Sequence, residues 1–178
     1  FLKRILLITC YPVDCMQIVK REKKFPVWQT VLLYLIAFVS DYVYGYTVHF
    51  PLAAKSRESI SLVLEFAILT VPLLSWVICS YAMTALIDGE STFKEQLTVS
   101  GYCTVPYTAF TLISIIVSQF LSSEETGFFM CIRYAGLLWM IILLFVSLVV
   151  LNDYTISKAF GITLLSLFAI VVMWAVLL

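Results

Sequence analysis

Three ionisable side chains, Asp41, Glu65 and Arg133, stand inside long apolar stretches of the chain. A charge in hydrocarbon is costly and is kept where it faces a partner, a bundle interior or a wet cavity. Any chemistry within these stretches would rest on those three. Opposite sign makes Arg133 a partner for Glu65 or Asp41; the other reading is that Arg133 snorkels to the headgroups and Asp41 sits at a helix end. Tyr42, Tyr44 and Tyr46 beside Asp41 have the composition of an interfacial aromatic belt. The remaining raw material is sparse. His49 is the one histidine, and Cys10, Cys15, Cys79, Cys103 and Cys131 form no CxxC pair, so no zinc site or Cys/His nucleophile is assembled. Sulfur inside apolar runs reads as a small hydrophobe. Asp88 and Glu90 place two carboxylates in a polar connector, too few oxygens for a metal cage. No P-loop, GxGxxG, HExxH or GxSxG motif occurs. We therefore expect a non-enzymatic protein with no catalytic residue, metal or cofactor. A formal net charge of zero gives no overall basic field for nucleic acid.

The elements that would position these residues follow from composition. Of 178 residues, 62% are hydrophobic and 12% charged, whereas soluble domains run near half apolar and a quarter charged. So little charge cannot clothe a soluble domain; the main solvent is lipid. A helix crosses the hydrocarbon core with about 20 apolar residues, and five runs qualify: Val27–His49, Ser59–Ile87, Leu97–Leu121, Gly127–Leu151 and Thr155–Leu178. None alternates with period two, which argues against a membrane barrel. The predicted fold is an all-α integral membrane protein, a bundle of five transmembrane helices with a short N-terminal interfacial segment. The connectors, among them Asp88–Gln96 and Asn152–Asp153, are too short to hold a soluble domain.

Residues 1–26 are read as a basic amphipathic segment, and 27–178 as the five-span membrane domain. The first segment mixes apolar residues with Lys3, Arg4, Lys20, Arg21, Lys23 and Lys24, and Pro12 interrupts it. It reads as helix on either side of Pro12, lying in the headgroup layer; a solvated cap on the first span is the alternative. The start at Phe1, without Met, leads us to expect residues upstream. With the N-terminus inside, Lys94 and Lys158 join those six on the inner side, against Lys55, Arg57 and Arg133 outside. The positive-inside rule then places the N-terminus in the cytoplasm and the C-terminus outside. Pro72 and Pro106 fall mid-span, where each removes a helix hydrogen bond and favours a packing kink. Gly127, Ala135, Gly136, Ala159 and Gly161 offer smooth patches, which serve a partner subunit or packing within the bundle.

Four segments carry a resemblance. They are Tyr11-Pro12-Val13-Asp14 with Ile18-Val19-Lys20-Arg21-Glu22-Lys23, then Asp88-Gly89-Glu90-Ser91-Thr92-Phe93, Tyr102-Cys103-Thr104-Val105-Pro106-Tyr107, and Asn152-Asp153-Tyr154 running on to Lys158. In order and spacing they resemble the Yip (Ypt-interacting protein) domain family over nearly the whole chain, bacterial members more than the eukaryotic trafficking ones. The family-motif positions are Asp88, Gly89, Tyr102, Pro106, Tyr107, Asp153, Tyr154 and Lys158. Asn152 stands where bacterial members usually carry His. The resemblance implies a non-enzymatic protein of the bacterial plasma membrane, in contact with the lipid bilayer. It also implies association with the permease subunits of an ABC importer for carbohydrates, specifically oligosaccharides. An independent small transporter or channel, and a membrane-trafficking or membrane-shaping factor, are the alternative readings.

Overall fold

A computed structural model describes residues 8, 11–22, 27–48, 61–120 and 123–177. The readings that involve Lys3, Arg4, Cys10, Lys23, Lys24, His49, Lys55 and Arg57 lie outside the described residues. Six α-helices succeed one another among them: α1 (Pro12–Glu22), α2 (Val27–Thr47), α3 (Leu62–Leu86), α4 (Phe93–Val117), α5 (Thr126–Asn152) and α6 (Ile156–Leu177). Helices α2 to α6 are each long and apolar enough to cross a membrane. Residue 8 is helical, and Pro12 stands at the start of the next helix. It opens α1, at the position where proline's missing N–H costs nothing.

Helix α4 is the axis of the bundle. It packs along α2 on one side and α5 on the other, while α3 and α6 pair at the periphery and α1 lies across the ends of α5 and α4. The burial of α4 explains its composition. Thr98, Ser100, Thr104, Thr108, Thr111 and Ser114 are buried polar residues, and each hydroxyl donates to its own helix's carbonyls at 2.7–3.0 Å. A hydroxyl satisfied in this way can be carried through an apolar interior without a partner helix. Pro72 and Pro106 both sit inside continuous helices.

The start of α4 differs from the sequence reading, which took Asp88–Gln96 as a connector. A reciprocal capping box opens the helix at Phe93. The Glu95 amide donates to Thr92 Oγ1 at 3.4 Å, and the Thr92 amide donates to Glu95 Oε2 at 2.7 Å. Those two bonds satisfy orphan amides of the first turn, so the polar residues Lys94, Glu95 and Gln96 are helical.

Helices α3 and α5 stop by the same device. Asp88 (φ 52°) and Asp153 (φ 51°) both adopt the left-handed conformation, which aspartate tolerates better than most residues. The next amide folds back five residues in each case: Gly89 N–H to Thr84 O at 2.8 Å, and Tyr154 N–H to Val149 O at 3.1 Å. These Schellman-like closures bring the Asp88–Glu90 connection and the Asn152–Asp153 turn to the same end of the bundle as α1. Small residues set the close helix approaches. A Cβ on Gly136 would lie 2.6 Å from Phe110 Cβ, and Ala159 is fully buried against α3 and α5; both serve packing within the bundle. Gly127 and Gly161 face open space.

Candidate functional site

Two polar assemblies emerge, one inside the membrane-spanning region and one at the α1 end. The first is built on Asp41, which is buried on the inward face of α2 with Tyr34, Ala37 and Ser40. Tyr107, on the facing side of α4, donates its phenol to both carboxylate oxygens at 2.7 and 2.9 Å. Arg133, on the second turn of α5, reaches the same carboxylate at 3.4 Å, and its guanidinium carbon lies 3.8 Å from the centre of the Tyr44 ring. Tyr44 in turn stacks on Phe129 at 6.0 Å with the planes 8° apart.

Asp41 and Arg133 each lie about 10 Å from the neighbouring ends of their helices at 1.5 Å per residue. Equal depth and opposite sign therefore meet, and a desolvated pair of this kind is far stronger than the same pair in water. Of the two partners offered for Arg133 by the sequence, the ion pair goes to Asp41. Glu65 stands in the first turn of α3, half-buried, close enough for its charge to act on Asp41.

The second assembly gathers most of the remaining motif positions. Gln96 is its hub. It accepts from Ser80 Oγ at 3.1 Å and donates to Thr84 Oγ1 at 3.0 Å and Ser91 Oγ at 2.7 Å. The Ser91 amide donates to Asn152 Oδ1 at 3.1 Å, and Asn152 Nδ2 donates to Leu148 O at 3.2 Å. Gly89 lies in the angle between them, since a Cβ there would stand 2.8 Å from both Thr84 O and Asn152 Oδ1. The motif glycine is thus explained by crowding, while the two motif aspartates supply left-handed helix stops. Tyr154 donates to Ile87 O at 3.2 Å, tying the α5–α6 turn to the end of α3. Its burial and the Asp88 charge push the phenol up, so it remains a neutral donor. Lys158 Nζ lies 4.5 Å from the centre of the Tyr154 ring. Tyr102 donates to Gln29 Oε1 at 2.9 Å across the α2–α4 interface, and Pro106 is buried within α4.

Asn152, read in the sequence only as a departure from a histidine, proves a central member. Replacing Asn152 with Ala leaves the buried Ser91 amide without its acceptor, which costs about 1–3 kcal/mol. Unfolding of the reconstituted protein measures this, and an unchanged midpoint would contradict it. Ser80 and Thr84 went unread because single polar residues in an apolar run carry no spacing signal, and Gln96 because it closed a stretch taken as a connector. The signal that was available is the T-x-x-E pattern at Thr92–Glu95, which marks the helix that delivers Gln96.

Lys20 on α1 closes this assembly. Its ammonium binds Asp153 Oδ2, and Glu90 Oε2 at 3.2 Å. Burial pulls the Lys20 ammonium down, but the hydrogen bonds and charges of Asp153 and Glu90 outweigh it and leave the group above the ordinary lysine value. A group raised on folding stabilises the fold fully below its unfolded pKa and loses that contribution as pH rises through the folded one. Docking of α1 is therefore expected to hold through neutral pH and to weaken only above about 10.4. The distance between spin labels at Gln17 and Thr155 reports it, and a lengthening between pH 7 and 9 would contradict the sign.

A bundle of five helices, each long and apolar enough to cross a membrane, with Asp41, Arg133 and Gln96 turned to polar partners inside, is a multi-pass integral membrane protein. The Yip1 domain family model matches residues 8–177, and the chain belongs to that family. No curated protein and no solved structure is detectably similar to it.

Proposed function

We propose that the protein is a non-enzymatic accessory or scaffold subunit of the bacterial plasma membrane, associated with the permease of a carbohydrate ABC importer. The observation that supports a scaffold is the saturation of Asp41. Its carboxylate is engaged by Tyr107 and Arg133 within a helix interface, an arrangement that consumes charge for cohesion instead of offering it to a solute. The tie to an importer rests on the likeness of the Asp88–Phe93 and Asn152–Lys158 segments to bacterial family members. Residues 1–26 are then a basic amphipathic segment on the cytoplasmic side, at the interface of the membrane domain 27–178, with the C-terminus outside, as the charge distribution favours. The exposed small residues Gly127 and Ala135 on α5 and Gly161 on α6 each suit close contact with another helix.

Flux through liposomes that contain this chain alone tests the scaffold reading. We expect ion and oligosaccharide leakage equal to that of empty vesicles. Saturable flux that Asp41→Asn abolishes would overturn the reading in favour of an independent transporter.

A further inference from the structure

We propose that α1 is a latch held by charge, whose release uncovers an apolar seat at one end of the bundle. The inference goes beyond the accessory role and stands without it. With 11 residues, α1 is shorter than the roughly 12–15 residues at which an isolated helix becomes even marginally stable in water. It is a helix because it is docked. Its docked face is narrow: Cys15, Met16 and Val19 are at most 1% exposed, while Val13 on another face is 43% exposed and Tyr11, just before the helix, is 63% exposed. The buried face shares one apolar core with Val99, Tyr102 and Cys103 of α4 and Leu151 of α5.

Lys20 ties that face to two separate connections, Glu90 between α3 and α4 and Asp153 between α5 and α6. Both carboxylates are about two-thirds or more exposed (66% and 72%), so water and salt reach the pair. Such a tie is weak and screened. The Gln96 hydrogen-bond network at the junction runs without α1. The bonds of Gln96, Ser91 and Asn152 described above run among α3, α4, α5 and their connections. Release of α1 therefore leaves those bonds in place, which is the property of a locally unfolding unit at the low-stability end of a structure.

Cys15 reports the latch directly, because its thiol is covered only while α1 is docked. The full chain with C10S, C79S and C131S keeps Cys103, because that residue lines the seat. It would be placed in neutral-lipid nanodiscs and treated with a water-soluble maleimide, and Cys15 modification followed by mass spectrometry of its peptide. Raising salt from about 0.05 M to about 1 M cuts the Debye length to about 3 Å. We expect Cys15 labelling to accelerate roughly three- to tenfold over that range, in keeping with exposed ion pairs. Lys20→Ala should reach the fast rate at low salt and lose the salt response. The triple exchange K20E/E90K/D153K should restore slow, salt-sensitive labelling, which a merely structural lysine would not allow. Hydrogen exchange over Pro12–Glu22 in the unsubstituted chain gives the same reading without cysteine changes. The latch is refuted if Lys20→Ala labels at the parent rate, or if salt has no effect. It is equally refuted if a Cys79-only chain accelerates in step, since that reports general loosening.

Discussion

Asp41→Ala is expected to cost about 3–5 kcal/mol of bundle stability, the penalty for breaking a desolvated ion pair from one side. The loss is larger than the 3.4 Å contact itself, because Arg133 is left as an uncompensated charge within the membrane-spanning region. The phenol of Tyr107 also loses both of its acceptors. Arg133→Ala should cost less than Asp41→Ala, since about a third of the arginine side chain is exposed (32% against 10%) and Asp41 keeps Tyr107. The double variant Asp41→Ala/Arg133→Ala should be more stable than the sum of the single effects predicts, by about 0.5–3 kcal/mol. Equilibrium unfolding in mixed micelles supplies all four corners of the cycle. Strict additivity would mean that the two charges are held independently, each by its own surroundings.

The second large effect lies one helix turn and a half away. Gly101 of α4 faces Thr30 of α2 so closely that a Cβ would stand 2.7 Å from Thr30 Cγ2 and 3.1 Å from its Cα. Thr30 is buried and branched at Cβ, hence stiff about χ1, and the backbone atom behind it cannot move without moving α2. Gly101→Ala should cost about 1–3 kcal/mol through overpacking, and Gly101→Val more. The consequences reach beyond the contact. Parting α2 from α4 also parts Tyr34 from Ser100, joined at 2.7 Å, and Tyr107 from Asp41. Gly161→Ala is the control. That position has open space and lies in a helix, where alanine is favoured over glycine by up to about 1 kcal/mol. A series in which Gly101→Ala and Gly161→Ala behave alike would contradict the packing described here.

Much of the architecture is legible in apolar run length. The five runs read from composition correspond to α2 through α6, because a lipid-facing helix needs little more than length and apolarity. The boundaries were less legible where polar residues are helical. Lys94, Glu95 and Gln96 read as connector until the capping at Thr92 is recognised, and Gln96 then becomes the most connected side chain at that end. Opposite sign offered Arg133 both Asp41 and Glu65 as partners but could not choose between them. The choice depends on the rotation of α2 and α3 about their axes, which weakly amphipathic, all-apolar helices do not record in their sequences. The same ambiguity covered the small residues. Gly136 and Ala159 pack internally and Gly127 and Gly161 do not, and nothing in their neighbours' chemistry announces the difference. The Asp-Gly and Asp-Tyr pairs carried more information. A residue tolerant of the left-handed conformation directly after a long apolar run is a physical stop signal, and it marks the ends of α3 and α5.

We propose that this bundle serves as a subunit of a larger membrane assembly. Its most direct test is recovery of the tagged protein from its own host in native nanodiscs, with co-purifying chains identified and quantified by mass spectrometry. ABC permease subunits are expected in a fixed ratio to the tagged chain. Recovery of the chain alone, at high yield and unchanged by milder extraction, would contradict it.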